Sequence, residues 1–331
     1  MKIAFFEIEG WEEEVIKKRL GDVYLSKETL NEDNLPEDNS FEIISVFGSS
    51  RVTDKVLGHF PNLKFLTTRS TGFDHIDLEA CKKRNIPVAY VPGYGDNTVA
   101  EFAFGLILNL TRKIYAAVDR IKETGSFQFE GLRGTDLKGK TLGVVGTGRI
   151  GKEAIKIAKG FGMKVVATDV YPDEKFAKEQ GYEYIPLEKL LSSSDVITIH
   201  CPYTKETHHL INKDNVRLIK KGAYLVNTAR GGIVETEALV LALQEGILAG
   251  AGLDVLEEEV EVKEEMVFAR EKRDSEEMKV MLEDHVLMRM PNVLITPHTA
   301  FNSQEAVERI LAKTLENIEG FLAGKPVNLV K

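Results

Sequence analysis

The sequence predicts an α/β protein with two domains, each a doubly wound parallel sheet covered by helices on both faces. First, the chain has 331 residues, about twice the usual length of one domain. Second, short apolar runs alternate with amphipathic stretches along most of the chain, which is typical of parallel strands joined by crossover helices. Third, a glycine-rich turn of the form GxGxxG stands at residues 146–151, after one complete α/β series. The first hundred residues therefore form a domain of their own.

The elements of the first domain follow from its apolar runs. Buried strands are predicted at Ile3–Phe6, Ile43–Phe47, Phe65–Thr68 and Val88–Val91. Helices are predicted at Trp11–Leu20, Thr53–His59 and Leu78–Arg84, with Asp77 as the N-cap of the last.

The second domain begins after a helical run from Asn97 to about Lys122. Its predicted strands are Thr141–Val145, Val165–Thr168, Val196–His200, Ala223–Asn227, Gly250–Leu253 and Val293–Thr296. The helices between them include Ile150–Phe161, Leu187–Leu191 and Thr236–Glu245, and an amphipathic helix, Ser303–Leu322, ends the chain. The charged stretch Glu257–Met290 is predicted to be a surface helix or loop inserted before the last strand.

Composition excludes several classes of function. The formal net charge is −9, from 43 Lys and Arg against 52 Asp and Glu, which disfavours binding to a nucleic-acid backbone. The longest apolar segment, Phe102–Leu110, is about half the length that a bilayer requires. The two cysteines, Cys81 and Cys201, show no disulfide or metal-ligand spacing, so no metal is expected. We expect a cytoplasmic protein that binds neither membrane nor nucleic acid.

The glycine turn is typical of a dinucleotide site. Gly146 permits the tight turn, Gly148 allows the backbone to approach a pyrophosphate, and Gly151 lets helix and strand pack closely. Asp169 ends the next strand, at roughly the 20-residue spacing of an acid that binds the ribose 2′-hydroxyl. Because a carboxylate there repels a 2′-phosphate, the turn predicts NAD rather than NADP.

Three further strand ends carry polar residues suited to one reaction. Arg230 follows one strand, His298 follows the last, and an acidic run that includes Glu259 follows the strand between them. A guanidinium can hold the carboxylate of a 2-oxo acid, an imidazole can supply a proton, and a carboxylate can orient that imidazole. We therefore expect hydride transfer to a 2-oxo acid, in a cleft between the two domains.

Together these segments resemble the NAD-dependent D-isomer-specific 2-hydroxyacid dehydrogenases, over essentially the whole chain. The segments that carry the resemblance are 70–77, 97–101, 146–151, 200–202, 227–231, 252–255 and 297–298. The resemblance implies a Rossmann NAD-binding domain, residues 98–298, inserted into a flavodoxin-like substrate domain made of residues 1–97 and 299–331. It also implies a homodimer, with the helix at Ala100–Leu110 either at the interface or buried as a hinge.

The resemblance also implies roles for individual residues. Arg230 binds the substrate carboxylate and carbonyl, Glu259 partners the histidine, and His298 is the acid/base. The backbone near Thr71 and Gly72 holds the substrate carboxylate. Contacts with NAD are implied for Arg149, Ile150, Asp169, Cys201, Pro202, Thr207, Thr228, Ala229 and Asp254.

The chain departs from the family pattern around the catalytic acid. Leu256 stands where the family usually has an aromatic residue, and Val260 stands where a proline often follows the glutamate. The register favours Glu259, five residues after Asp254, with Glu257 as the alternative.

Two segments resemble the lactate-type members of the family. They are Val91–Tyr94, which places Tyr94 at the substrate, and His298–Phe301. We therefore expect reduction of pyruvate to D-lactate. The alternatives are a glyoxylate- or hydroxypyruvate-type enzyme, an NAD-sensing corepressor-type binding protein, and a formate dehydrogenase, against which Glu259 argues because that relative pairs its histidine with glutamine.

Overall fold

The computed structural model describes residues 1–257 and 275–330, with the side chains of 275–277 excepted. Two compact units divide the chain: Met1–Tyr94 with Ser303–Lys331 form the first unit, and Gly95–Asn302 form the second. Residues 95–97 and 299–302, which the sequence analysis assigned to the substrate domain, thus lie in the second unit.

The sheet of the first unit has five parallel strands in the described residues. They are β1 (Ile3–Phe5), β2 (Tyr24–Leu25), β3 (Ile43–Val46), β4 (Phe65–Thr68) and β5 (Val88–Ala89). Their order is β2-β1-β3-β4-β5, which is the flavodoxin-like order. The helices are α1 (Glu12–Leu20), α2 (Asp54–His59), α3 (Leu78–Lys83) and α11 (Gln304–Leu322).

Both faces of this sheet are buried. Ile43 of β3 packs with Leu311 and Leu315 of the C-terminal helix α11, whereas Ile44 faces the opposite cluster with Val56 of α2. Consecutive strand residues point to opposite faces, so a strand covered on both sides must be apolar throughout. This explains why continuous apolar runs located these strands in the sequence. The predicted cap is confirmed, since the Asp77 carboxylate accepts a hydrogen bond from Ala80 N at 2.8 Å.

The sheet of the second unit has seven parallel strands in the described residues. They are β6 (Thr141–Val145), β7 (Lys164–Thr168), β8 (Glu183–Tyr184), β9 (Val196–Ile199), β10 (Ala223–Asn227), β11 (Leu248–Leu253) and β12 (Val293–Ile295). Their order, β12-β11-β10-β9-β6-β7-β8, is that of a doubly wound dinucleotide-binding domain with one additional edge strand. The predicted fold class is confirmed, with one strand more in this sheet than the six expected.

The predicted helical run from Asn97 to Lys122 is wrong in one respect, because it is two helices. α4 (Asp96–Arg112) ends and α5 (Ile114–Thr124) begins at Lys113, whose φ of +53° breaks the helix. The apolar residues of α4, among them Ala103 and Ile107, lie in the core of the second unit. No residue of α5 is buried.

The other helices of the second unit cover its sheet. They are α6 (Arg149–Gly160), α7 (Glu174–Gln180), α8 (Leu187–Ser193), α9 (Thr236–Gln244) and α10 (Ser275–Arg289). The charged stretch before the last strand thus contains a helix, α10, which buries Met281 and Leu287. Residues 258–274 lie outside the described part of the chain. No helix in the described residues is both long and apolar enough to cross a membrane.

Candidate active site

The strands of the second unit end in one row. The last residues of six adjacent strands are paired across the sheet in the order Thr168, Val145, Ile199, Asn227, Leu253 and Ile295. Because all the strands are parallel, the residues that follow them lie at the same edge. Those residues begin the segments that carry Asp169, Gly146, Cys201, Arg230, Asp254 and His298. The sheet therefore brings the predicted residues of this unit to one edge, which includes the switch in strand order between β6 and β9.

The glycine turn has the backbone geometry of a pyrophosphate site. Gly146 has a φ of +91°, and a Cβ there would lie 2.5 Å from Cys201 N. A Cβ on Gly151 would lie 2.1 Å from Gly146 O, so only glycine lets helix α6 approach the turn. Gly148, by contrast, has open space before the helix N-terminus, whose first turn carries no acidic residue. The backbone N–H groups of the first turn of α6 and the positive end of its helix dipole suit a pyrophosphate.

The carboxylate of Asp169 is held beside this turn. Its Oδ2 accepts hydrogen bonds from Thr147 N at 2.6 Å and Thr147 Oγ1 at 3.0 Å, and its Oδ1 accepts one from Tyr171 N at 2.8 Å. The acid thus has a fixed position next to the pyrophosphate site, as a ribose partner requires. Sequence reasoning missed Thr147, which occupies a variable position of the GxGxxG pattern.

The segment after β9 borders the same turn. Cys201 is close to Gly146, and burial raises the pKa of its thiol to about 11, so the thiol is protonated at neutral pH. Pro202 is exposed, and its carbonyl accepts a hydrogen bond from Thr207 Oγ1 at 2.7 Å. The Thr207 hydroxyl therefore stabilises the loop 202–207 by bonding one end of it to the other. Arg149, exposed, and Ile150, half-buried, start helix α6.

The segment after β10 carries Arg230 on a turn that its own hydrogen bonds hold. Asn227 is the organising residue, because its side chain donates to Arg230 O at 2.9 Å and accepts from Ala229 N at 3.0 Å. Arg230 is half-buried, and its Nη1 donates to Ala229 O at 2.8 Å. The Thr228 hydroxyl is buried without a hydrogen-bond partner in the described residues, so it is available to a bound group.

The segment after β12 places His298 in an unusual backbone conformation. His298 has a φ of +52°, in the left-handed region that few residues other than glycine adopt. Its N–H donates to Asp254 O at 2.9 Å. The Asp254 carboxylate, which is buried, accepts from Thr296 Oγ1 at 2.5 Å, Thr299 N at 2.9 Å and Ala300 N at 2.8 Å. Asp254, predicted as a cofactor contact, therefore uses its carboxylate to hold the segment that carries the histidine.

Glu259, the acid predicted to partner His298, lies outside the described residues, as does the whole of 258–274. The alternative, Glu257, is described and has other partners. Its Oε1 lies 2.5 Å from His209 Nε2, and its Oε2 accepts from Thr236 Oγ1 at 2.7 Å and Thr236 N at 3.2 Å. Both oxygens of Glu257 are thus engaged by residues other than His298. Sequence reasoning missed this contact of His209, because the two residues are distant in the chain.

The predicted substrate residues of the first unit lie after β4 and β5. The Thr71 hydroxyl donates to Val91 O at 2.7 Å, and Gly72 O accepts from Ser70 Oγ at 2.5 Å. The backbone N–H groups of Thr71 and Gly72 donate no hydrogen bond within the described chain, so they can bind an anion. Tyr94 is half-buried and ends the first part of this unit.

Comparison with known proteins places this arrangement in a family. A family model described as "D-isomer specific 2-hydroxyacid dehydrogenase, NAD binding domain" matches residues 104–300. The matched region contains the glycine turn and Asp169. The match to an NAD-binding domain therefore agrees with the geometry of this sheet edge. In the described residues, no group of side chains could hold a metal ion.

Relatives match nearly the whole chain. The aromatic 2-oxoacid reductase of Clostridium sporogenes is 39% identical over 85% of this chain and 83% of its own length. The D-lactate dehydrogenase of Escherichia coli is 37% identical over 87% of this chain and 85% of its own. The structure of D-lactate dehydrogenase from Aquifex aeolicus with NAD and lactic acid has a TM-score of 0.86 at 38% identity, over 98% and 96% of the two chains. With its sheet order, its NAD-binding edge and these relatives, the chain belongs to the D-isomer-specific 2-hydroxyacid dehydrogenase family.

Proposed function

We propose that the chain reduces pyruvate to D-lactate with NADH. The observation that carries this proposal is the row of strand ends, in which Arg230 and His298 follow strands of the same edge as the NAD turn. One strand, β11, separates β10 from β12, so their ends lie about 10 Å apart. An arginine and a histidine at that distance can both reach one small oxo acid.

The reaction divides among these groups. NADH, when bound, supplies the hydride that reduces the carbonyl carbon. Arg230 binds the substrate carboxylate and polarises the carbonyl, and His298 donates the proton that the carbonyl oxygen takes up. Glu259 orients the imidazole and favours its protonated form. Thr71, Gly72 and Tyr94 are proposed to contribute to substrate binding.

Sequence segments and relatives both bear on the size of the substrate. Val91–Tyr94 and His298–Phe301 support a lactate-type enzyme, as does the likeness to two D-lactate dehydrogenases. The likeness to an aromatic 2-oxoacid reductase supports a bulkier substrate, and glyoxylate or hydroxypyruvate would be smaller or more polar alternatives.

A panel of oxo acids tests this choice. The purified protein is assayed for NADH oxidation with pyruvate, glyoxylate, hydroxypyruvate and phenylpyruvate at equal concentrations. We expect the highest kcat/KM with pyruvate. A higher value with phenylpyruvate would contradict the lactate assignment and leave the reaction class intact, whereas NADH binding without turnover of any acid would favour a corepressor-type function.

We further propose that the chain forms a homodimer through α5 rather than through the helix at Ala100–Leu110. That helix is part of α4, and its apolar side chains are already buried in the core of the second unit. The exposed apolar residues are Ile114, Tyr115, Val118 and Ile121 of α5 with Phe127 and Phe129 beyond it. Exposed apolar patches mark interaction surfaces, and the same face on two copies can pair about a two-fold axis.

We also propose that the protein works in the cytoplasm. Cys81 and Cys201 are free thiols, and burial raises the pKa of each to about 11. Two protonated, unpaired thiols suit a reducing compartment.

A further inference from the structure

Three segments of the second unit meet at the side chain of Glu257. The first is the loop after β9, which carries His209; the second is the turn 230–236, here named the Arg230 turn; the third is Leu256–Glu257, which follows β11. Glu257 Oε1 contacts His209 Nε2 at 2.5 Å, and Glu257 Oε2 accepts two hydrogen bonds from Thr236 at the end of the Arg230 turn. One carboxylate therefore joins all three segments.

The pair is buried enough for these contacts to matter. The Glu257 side chain is 12% exposed and that of His209 is 31% exposed. A carboxylate so far removed from water requires hydrogen-bond donors, and here it has three. If one donor is removed, the charge is left poorly solvated and the segment must move.

His209 is itself held by its backbone. Its φ of +51° lies in the left-handed region, its N–H donates to Gly232 O at 2.8 Å, and its carbonyl accepts from Asn212 Nδ2 at 2.9 Å. These bonds fix the backbone from which the imidazole extends. The bond to Gly232 connects that backbone directly to the Arg230 turn. His209 and Glu257 therefore hold this turn at two residues, Gly232 and Thr236.

The backbone beside Arg230 is in direct contact with the third segment. A Cβ on Gly231 would lie 2.0 Å from Leu256 C and 2.4 Å from Glu257 N. Because no space separates the two backbones, a displacement of Leu256–Glu257 toward Gly231 must displace the Arg230 turn as well. A misplacement of about 1 Å in a substrate-binding group can cost up to about 100-fold in kcat/KM.

We propose that Glu257 and His209 form a positioning pair that sets the place of Arg230 at the substrate carboxylate. This proposal rests on the proposed function, in which Arg230 binds that carboxylate. Neither residue touches the substrate. In this proposal the two acids, two residues apart, have different roles. Glu257 positions Arg230, and Glu259 partners His298.

The test compares Glu257→Ala, Glu257→Gln and His209→Ala with the wild type. The readouts are kcat and KM for pyruvate, the Ki of oxamate as a carboxylate-bearing analogue, the Kd of NADH, the pH–rate profile and the Tm. We expect Glu257→Ala to raise KM and the oxamate Ki together by about tenfold, with kcat changed less than threefold. Glu257→Gln keeps polar atoms for His209 and Thr236, so its KM stays within about threefold of the wild type. His209→Ala raises KM like Glu257→Ala, and the double variant shows no further rise.

The matched control is Glu245→Ala, which removes an exposed ion pair with Arg217 at the end of α9 and leaves KM unchanged. A lower Tm with unchanged KM in both Glu257→Ala and His209→Ala would overturn the proposal. So would a shifted pH–rate profile in Glu257→Gln, because that result would make Glu257 the direct partner of His298. If Glu257→Ala does not fold, the more exposed His209→Ala decides alone.

The variant Arg230→Gln separates this proposal from the proposed function. If Arg230→Gln leaves the KM for pyruvate unchanged, the role of Arg230 fails, and with it the basis of the positioning pair. If Arg230→Gln abolishes pyruvate binding while Glu257→Ala and His209→Ala leave KM unchanged, only the positioning pair fails.

Discussion

At the carboxyl end of β11, one buried carboxylate holds the backbone that carries His298. Burial raises the pKa of Asp254, and its hydrogen bonds with Thr296, Ala300 and Thr299 and the nearby charge of His298 oppose that rise. A left-handed backbone at a residue such as His298 costs of order 1–3 kcal/mol and persists only where its surroundings require it. Asp254 holds His298 in this conformation, because the hydrogen bonds that its carboxylate accepts fix the backbone of residues 296–300.

A second histidine at this edge has a pKa that links protonation to stability. Burial lowers the pKa of His200 from 6.5 to about 4, and Nε2 of its ring lies 2.9 Å from Thr198 Oγ1. Between these two values the unfolded chain binds a proton that the folded chain does not. The free energy of unfolding therefore falls as the pH drops from about 6.5 to about 4, by up to roughly 3 kcal/mol from this residue.

The variant His200→Gln tests this linkage. Urea unfolding at a series of pH values should give a smaller loss of stability for the variant than for the wild type in that window, and no difference in slope above pH 7. The control is His208→Gln, at an exposed histidine, which should follow the wild type. Equal slopes for wild type and His200→Gln would contradict the assignment.

Single residues were predictable from sequence where their partners are near in the chain. Asp77 caps the helix that begins at the next residue by binding an N–H three residues ahead, and Asp169 follows the glycine turn at the spacing that its chemistry requires. The contact between His209 and Glu257 joins residues with 48 positions between their numbers, so no local pattern signals it. The role of Asp254 was missed for the same reason, since its carboxylate binds a segment that follows another strand.

Among the elements, α4 and α5 show what periodicity cannot detect. Apolar residues continue at helical spacing through both helices, so the sequence reads as one helix. The helix breaks at Lys113, where the backbone adopts a left-handed conformation. A lysine does not predict that conformation, as a glycine would. Burial differs sharply across it, because α4 lies in the core and α5 does not.

Helix α6 offers a sharp test of the cofactor site. A methyl group at Gly151 would collide with Gly146 O, so Gly151→Ala must push the helix away from the turn. We expect the Kd of NADH, measured by fluorescence titration, to rise at least tenfold. Gly160, at the other end of the helix, has no atom within 4 Å of an added Cβ.

Gly160→Ala is therefore the matched control, and it should leave NADH binding unchanged and stabilise the helix slightly. Unchanged NADH affinity in Gly151→Ala would contradict the role of close helix packing in cofactor binding.

For the whole molecule, the alternation of strand and helix predicted two parallel sheets, because buried strands are short, continuous apolar runs. The edge strands Tyr24–Leu25 and Glu183–Tyr184 were missed, since two residues exposed on one side form no such run. Pairing with a neighbour, rather than local sequence, makes them strands. The NAD site was predictable because the glycine turn and Asp169 lie in one continuous segment of the chain. The hydrogen-bond network around Arg230 joins three separate segments, which no local pattern reveals.

The proposed homodimer is also a property of the whole molecule, and its mass in solution tests it. The wild type should have the mass of a dimer by light scattering after gel filtration, and Val118→Glu should shift it to a monomer by placing a charge on the α5 face. Val15→Glu is the control, because Val15 is exposed to 41% and Val118 to 44%. A monomeric wild type, or a dimer that survives Val118→Glu, would contradict the proposed interface.

We propose that this chain transfers a hydride from NADH to pyruvate and forms the D isomer of lactate. The most direct test is chiral analysis of the product after the purified protein has consumed NADH in the presence of pyruvate. We predict D-lactate in an amount equal to the NADH oxidised, and no product from the variant His298→Gln. L-lactate, or no consumption of NADH by a folded wild type that binds it, would contradict the proposed reaction.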